Sequence, residues 1–434
     1  MIAQVNSATR ALKSVVGGST KYVINTVWLS VERVLRMVVA LVVGIWVARY
    51  LGPEKFGVLN YAQSLVVLVT AISTLGLDSI VTRSLVRHPE RKSTIMGTAF
   101  ALRLIGAAAA ILVLSIVVWA LDVESGTRAI VFIVSLSIAL QSLNVIDLHY
   151  QSISQSKFVV YGNFVASFVS SIIKVILILN NASLIAFAIT AVIDQLLIVL
   201  GLLFFYQKHE RRLFQWNIDT LLMKDMLSQS WPLMFSGISI MIGMRIDQVM
   251  IGEMMDETEV GIYAVGVKLA EVFNFIPMVI AQSFFPKVIE MNLETQGRKF
   301  IMFVRVVFWA LVSLAVFVNF ASFYAVDLLY GNAYHASTPV VNVLIWAIPC
   351  TFLNIITTSL LLKVSQSRLI MLKQLALTSI NITLNIFLIP RYGIVGAACA
   401  TLIAESSLIV FEWFTRKYTW ILRLKVRAVF FLDW

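Results

Sequence analysis

The sequence predicts an all-α integral membrane protein of about twelve transmembrane helices, built as two parallel six-helix lobes enclosing a central cavity. Three observations predict it. Of 434 residues, 59% are hydrophobic and only 13% charged, and the mean hydropathy is +0.89, more apolar surface than one water-soluble core can bury. The apolar residues fall in twelve windows, each near the roughly 20 residues that a spanning helix needs. The second half of the chain also repeats features of the first at one constant offset.

The windows run over 23–49, 57–80, 94–120, 129–148, 158–179, 183–206, 228–252, 260–284, 300–325, 339–362, 369–389 and 394–415. Residues 1–22 form a polar, basic N-terminal tail, and the apolar run after it is too long for a cleaved signal peptide, so it is read as the first span. Residues 23–206 make the N-lobe with spans one to six, 207–225 a basic linker, 226–415 the C-lobe with spans seven to twelve, and 416–434 a basic amphipathic tail. That tail, with Arg416, Lys417, Arg423, Lys425 and Arg427 beside Trp420, Phe430, Phe431 and Trp434, suits an interfacial position near anionic lipid. Pro277 and Pro349 fall inside the eighth and tenth spans, where a missing backbone donor predicts kinks, and both are candidates for a gate. Cys350 and Cys399 lie in apolar runs without metal or redox spacing and are read as packing residues.

Of the 34 Lys and Arg residues, 23 fall in the N-terminal tail, the even-numbered loops and the C-terminal tail, with Lys373 near the start of the eleventh window counted with its loop, and 4 in the opposite loops. By the positive-inside rule both termini then face the cytoplasm. The net charge of +11 thus reports topology, and its spread over juxtamembrane loops leaves no basic domain for nucleic acid.

Laid over each other at an offset of 204 residues, the halves align Phe56-Gly57-Val58 with Val260-Gly261-Ile262, Ser79 with Ser283, and Arg83 with Lys287. Turn, serine and basic exit agree at one offset, which predicts common ancestry of the halves. Six spans per repeat is an even number, so both halves enter from one side and are related by an axis along the membrane normal, with substrate between them.

The stretch Ala48-Arg49-Tyr50-Leu51-Gly52-Pro53-Glu54-Lys55-Phe56-Gly57 closes a tight turn with Gly and Pro. It resembles the signature turn of the Wzx-type polysaccharide flippases, in the superfamily that also holds the MATE drug exporters and the lipid II flippases. The segment from Arg245-Ile246-Asp247-Gln248 through Glu259-Val260-Gly261-Ile262-Tyr263 resembles that family too. What the resemblance implies is a bacterial inner-membrane carrier that moves polyprenyl (undecaprenyl) diphosphate-linked oligosaccharide, such as an O-antigen or exopolysaccharide repeat unit, from the cytoplasmic to the periplasmic leaflet. It further implies alternating access, driven by an ion gradient, and polysaccharide polymerase and chain-length machinery as partners.

Seven bases lie within spans: Arg33, Arg36, Arg103, Lys174, Arg245, Lys268 and Arg305. Each charge near the bilayer centre costs at least about 2.5–3.5 kcal/mol, and a lumen lined with Arg and Lys would replace solvation lost by a lipid-linked diphosphate. Arg33, Arg36, Lys174, Arg245, Lys268 and Arg103 are therefore the candidate lumen cations. Arg103 and Arg305 also lie near enough to their cytoplasmic ends to snorkel. Arg36 shares a helical face with Glu32, and Lys268 with Glu271, so both have a plain reading as helix pairs. Lys174 has no acid within four residues, and Arg245 and Asp247 point to nearly opposite faces. Ion coupling needs a membrane-embedded acid; Asp194 and Glu405 sit near mid-span, followed by Glu32, Asp247 and Glu271.

No Asp-x-Asp, His-Glu-x-x-His or complete phosphate loop is present, the Gly17-Gly18-Ser19-Thr20-Lys21 run lacking the spacing, and the four histidines make no metal constellation. No catalytic residue, cofactor or metal is expected, and the chain is read as a carrier rather than an enzyme. The competing functions are a MATE-like exporter of small cations, which a basic lumen disfavours, and a polytopic polysaccharide polymerase or glycosyltransferase, for which the outer loops are short. A sugar-proton symporter of the major facilitator type ranks lower, since Thr82 to Ser93 lacks that family's Asp-Arg pattern.

Overall fold

The computed structural model describes residues 20–155, 157–210, 216–290, 293–414 and 418–430. Most of the N-terminal tail and parts of the linker and C-terminal tail lie outside the described residues. Every regular element among the described residues is helical: α1 (Thr20–Thr74), α2 (Asp78–Arg87), α3 (Lys92–Ala120), α4 (Ser125–Leu140), α5 (Val145–Ser152), α6 (Lys157–Leu179), α7 (Leu184–Glu210), α8 (Thr220–Met254), α9 (Glu257–Glu290), α10 (Leu293–Tyr330), α11 (Ser337–Leu344), α12 (Ala347–Lys363), α13 (Ser367–Ser407) and α14 (Thr419–Val429), with short 3-10 turns between some of them.

Among the described residues, ten helices are long and apolar enough to cross a membrane. Two of them, Met37–Arg87 and Arg368–Phe411, have 51 and 44 residues, which as straight rods would reach about 75 and 65 Å against a hydrocarbon core of roughly 30 Å. Both contain a glycine with positive φ, Gly52 (φ 72°) and Gly393 (φ 59°), a conformation open to glycine at little steric expense. At Gly52 the chain doubles back: Gly44 on the first limb of α1 and Asn60 on the second line one cavity. The same happens at Gly393, where Gly396 packs against the carbonyl of Leu388. Each of these helices therefore supplies two crossing limbs, which reconciles ten helices with twelve apolar windows. Pro53 stands directly after its turn, in the first helical turn of the new limb, where no donor is needed.

Elsewhere local chemistry sets the boundaries. Asp219 caps α8 by accepting from the backbone N–H groups of Leu221 (2.9 Å) and Leu222 (3.1 Å). The tenth window is split into α11 and α12, and Pro349 is the third residue of α12, in the first turn where no donor is needed; the Ile345 carbonyl accepts instead from the Ile348 N–H (3.3 Å). Pro277 lies within α9, which runs on through that point as one helix. Large apolar side chains such as Leu112, Ile116, Trp119, Phe317, Phe320 and Leu328 face outward, as required where lipid rather than water is the solvent.

The two halves cross where the repeat is clearest. A Cβ on Gly57 would run into the carbonyl of Glu257 and lie 2.9 Å from the N of Gly261, while a Cβ on Gly261 would run into the carbonyl of Pro53 and lie 3.0 Å from the N of Gly57. Residue 53 maps to 257, and 57 to 261, by the 204-residue offset. Reciprocal contacts between equivalent residues are what a two-fold relation through the contact demands. Around the crossing, Tyr61 donates to Glu253, Ser64 to Gln248 (2.8 Å), and buried Tyr334 to the carbonyl of Ala48 (2.7 Å).

At the basic C-terminus, α14 packs on α10: Arg305 donates to the carbonyl of Arg427 (3.0 Å) and Trp309 to that of Val429 (3.3 Å). The snorkelling expected of Arg305 is replaced by capping of this helix. Lys373, counted among the loop residues by its position near a window edge, is instead buried at 4% exposure inside the fold.

Candidate functional site

Below the glycine crossing lies a cavity of about 680 Å³, walled by both limbs of α1, by α6 and α7, and by Lys268 of α9. Val47 and Met37 both line it, so it extends about 15 Å along α1. Its polar lining is Asn60, Gln63, Asn163, Ser167, Ser170, Ser171, Lys174, Thr190, Asp194 and Lys268.

Lys174 and Asp194 form an ion pair, Nζ to Oδ2 at 2.8 Å, and Ser170 donates to the other carboxylate oxygen. Ser170 and Lys174 share a face of α6 at a spacing of four, and Asp194 meets them from α7. The sequence left Lys174 without a nearby acid because its partner stands 20 residues away on another helix. Lys268 does not form the expected ion pair with Glu271 among the described residues. Its ammonium lies 4.3 Å from the centre of the Phe56 ring, a cation–π contact that ties the second half of the chain to the segment just after the Gly52 turn. Arg245 and Lys174 are close enough for their charges to act on Lys268, as is Glu271. The helix-pair expectation fails because spacing on one helix says nothing of an aromatic face presented by another.

Arg103 belongs elsewhere. It is 4% exposed, pairs with Asp78 of α2 and donates to the carbonyl of Gln141 (3.4 Å), so it neither snorkels nor lines this cavity. Arg103→Met should therefore lower stability by roughly 1–3 kcal/mol while leaving transport per folded molecule near the wild-type value; thermal melting and transport of the same preparation check both. Arg33, Arg36 and Glu32 lie on the first limb of α1, with side chains outside the described residues.

A second polar cluster is buried in the C-terminal half. Asp247 of α8 accepts from Tyr263 (2.8 Å), Thr401 (2.8 Å) and Asn385 (2.7 Å). Asn381 accepts from Asn385 (3.2 Å) and donates to Thr401 (3.2 Å). The Oδ1 of Asn385 is buried with no hydrogen-bond donor among the described residues. Four helical limbs thus bring carboxylate, amide and hydroxyl oxygens to one point, a donor set suited to a hard monovalent cation or a proton. Asn381, Asn385 and Thr401 were not singled out from sequence, since uncharged side chains on separate helices carry no local signal.

Glu405 accepts from Asn354 (2.7 Å), whose backbone carbonyl accepts from Lys373 (3.0 Å). No group of three or more His, Cys, Asp or Glu side chains placed to hold a metal occurs among the described residues.

Residues 46–339 match the family described as "Polysaccharide biosynthesis protein". No curated protein sequence matches the chain. Among solved structures, the chain is similar to "Lipid II flippase MurJ, inward closed conformation", with a TM-score of 0.71, 14% identity, and coverage of 94% of this chain and 90% of that one. It is also similar to an inward-facing MATE family transporter of the MOP superfamily (TM-score 0.65, 13% identity, 92% and 99% covered). A third similar structure is a MOP superfamily transporter from Pyrococcus furiosus, described as having a binding pocket of reverse polarity (TM-score 0.58, 15% identity, 92% and 96% covered). At these identities the likeness establishes a shared transporter fold.

Proposed function

The chain belongs to the polysaccharide biosynthesis protein family, and on that premise we propose that it flips undecaprenyl diphosphate-linked oligosaccharide repeat units from the cytoplasmic to the periplasmic leaflet of a bacterial inner membrane. The observation that carries the reading is a cavity between membrane-spanning helices with two lysines, Lys174 and Lys268, and a single carboxylate, Asp194, in its wall. An excess of base over acid suits an anionic diphosphate headgroup and disfavours the cations a drug exporter would carry. A solved relative of the same fold is described as a lipid II flippase, and lipid II is itself a lipid-linked saccharide.

In this reading both termini are cytoplasmic, residues 23–206 and 226–415 are the two moving lobes, and 207–225 links them on the cytoplasmic side. The turns at Gly52 and Gly393 then face the periplasm. The crossing of Gly57 with Gly261 closes the outer end, and the cavity beneath it receives headgroups from the cytoplasmic leaflet. Alternating access consists of opening that crossing while the inner ends close. The released repeat unit passes to polymerase and chain-length machinery. Removing the protein from a cell without a redundant carrier should strand undecaprenyl-linked repeat units in the inner leaflet; normal delivery of those units to the periplasm would overturn the proposal.

The cluster around Asp247 supplies the coupling site. Its ligands come from α8, α9 and both limbs of α13, so occupancy by a cation biases how these helices pack. Asp247→Asn keeps the size of the side chain but removes its charge. The expected result is a transport rate that no longer responds to an imposed Na⁺ or H⁺ gradient, down about tenfold or more from the wild-type driven rate. Transport in proteoliposomes under each gradient separately checks this and identifies the ion. Glu405→Gln is the control: a gradient response lost there and kept in Asp247→Asn would move the coupling site to Glu405.

A further inference from the structure

The Lys174–Asp194 pair faces the cavity. It joins α6 to α7, yet the two side chains remain 26% and 36% exposed and both line the cavity wall, within reach of a bound headgroup. The carboxylate takes one donor on each oxygen: the Ser170 hydroxyl on Oδ1 and the Lys174 ammonium on Oδ2 at 2.8 Å. Two donors converging from one helical face on a two-oxygen anion would serve two oxygens of a phosphate equally well. Lys268, from the other half of the chain, lies within electrostatic range of Lys174 and adds a second positive charge on the same cavity.

Resting on the flippase reading, we propose that Ser170, Lys174 and Lys268 form the subsite for the cargo's diphosphate, and that Asp194 is a resident competitor which occupies this subsite until the diphosphate displaces it. A carboxylate carries one charge and two oxygens; a diphosphate carries more of both and spans two cations. The diphosphate therefore displaces Asp194, while small monovalent anions do not. When the cargo leaves, Asp194 returns to Ser170 and Lys174, so release does not strand a bare ammonium in a low-dielectric cavity. The competitor thus sets selectivity by charge and keeps affinity low enough for turnover.

The test measures binding of farnesyl diphosphate, a short and soluble polyprenyl diphosphate, to the purified full-length protein in detergent. Asp194→Asn should bind it at least about tenfold more tightly than wild type, and Lys174→Gln about tenfold more weakly, as expected for loss or gain of one charge-assisted contact. In a Lys174→Gln background, Asp194→Asn should bring no gain, and Asp194→Glu, which keeps the competing charge, should stay within about twofold of wild type. A gain that persisted in the Lys174→Gln background would be the general effect of removing a negative charge from the cavity and would overturn the exchange. Equal or weaker binding by folded Asp194→Asn, with wild type binding normally, overturns the exchange and leaves the flippase reading standing. If neither wild type nor Asp194→Asn binds the diphosphate while a small organic cation does bind, both fail. An infrared difference spectrum of wild type with ¹³C-labelled aspartate gives a readout that needs no Asn variant: saturation with farnesyl diphosphate should shift a carboxylate band, and the shift should be missing in Asp194→Glu. No shift in wild type overturns the exchange.

Discussion

Lys174→Ala lowers protein-dependent transfer of a polyprenyl diphosphate-linked oligosaccharide between leaflets by at least about tenfold, on the scale of one lost hydrogen bond between charged groups, roughly 1.5–3 kcal/mol. The change does more than delete a contact. It leaves Asp194 in the cavity wall with only the Ser170 hydroxyl, so the lining passes from two bases and one acid to one of each. The remaining charge repels a diphosphate where the original pair could exchange for it. Lys174→Arg keeps the positive charge and should retain most of the transfer, which separates loss of charge from loss of packing. Transfer rates normalised to folded protein in proteoliposomes check both variants.

Gly57→Val abolishes the closed outer crossing. The added Cβ would occupy the position of the Glu257 carbonyl and approach the Gly261 N to 2.9 Å; all of these are backbone atoms, and no side chain can turn aside to make room. Small residues at such crossings let helix backbones touch, and in a bilayer that contact replaces the hydrophobic drive available in water. The lobes must separate at this point, with loss of about 1–3 kcal/mol from overpacking and of the hydrogen bonds from Ser64 to Gln248 and from Tyr334 to Ala48 that flank it. Transport should fall to background even in folded protein, because the closed half of the cycle is blocked. Spin labels placed one on each half beside the crossing report the change directly: the distance between them is short in the wild-type background and lengthens in Gly57→Val. Gly261→Val, on the equivalent residue of the other half, should behave alike.

Periodicity and composition were sufficient for the architecture, because a spanning helix declares itself by length and by uniform apolarity. Eight of the twelve expected spans correspond to one candidate helix each, and the other four are the paired limbs of two helical runs that a glycine at positive φ folds in two. The Gly57 repeat was legible for a related reason: a position that tolerates no side chain stays glycine in both halves, and the two prove to touch. The site was legible only in part. Single charges in apolar windows mark themselves, so Lys174, Lys268, Asp194, Asp247 and Glu405 were found. Their partners were not, because a pair such as Lys174 with Asp194, or a cluster such as Asp247 with Tyr263, Asn385 and Thr401, is made by helices distant in sequence. Arg103 shows the converse error: its charge suggested the lumen, but Asp78 on α2 claims it. Lys373 went unremarked since it lies four residues inside a window whose edge also borders a basic loop.

Vesicles carrying a labelled polyprenyl diphosphate-oligosaccharide in one leaflet test the central claim most directly. With the protein reconstituted and an ion gradient imposed, the label should reach the other leaflet, at a rate that Lys174→Ala lowers by about tenfold or more and that empty vesicles do not show. If the oligosaccharide stays in its original leaflet while the same vesicles move a small organic cation, the cavity is that of an exporter, and the flippase reading is contradicted.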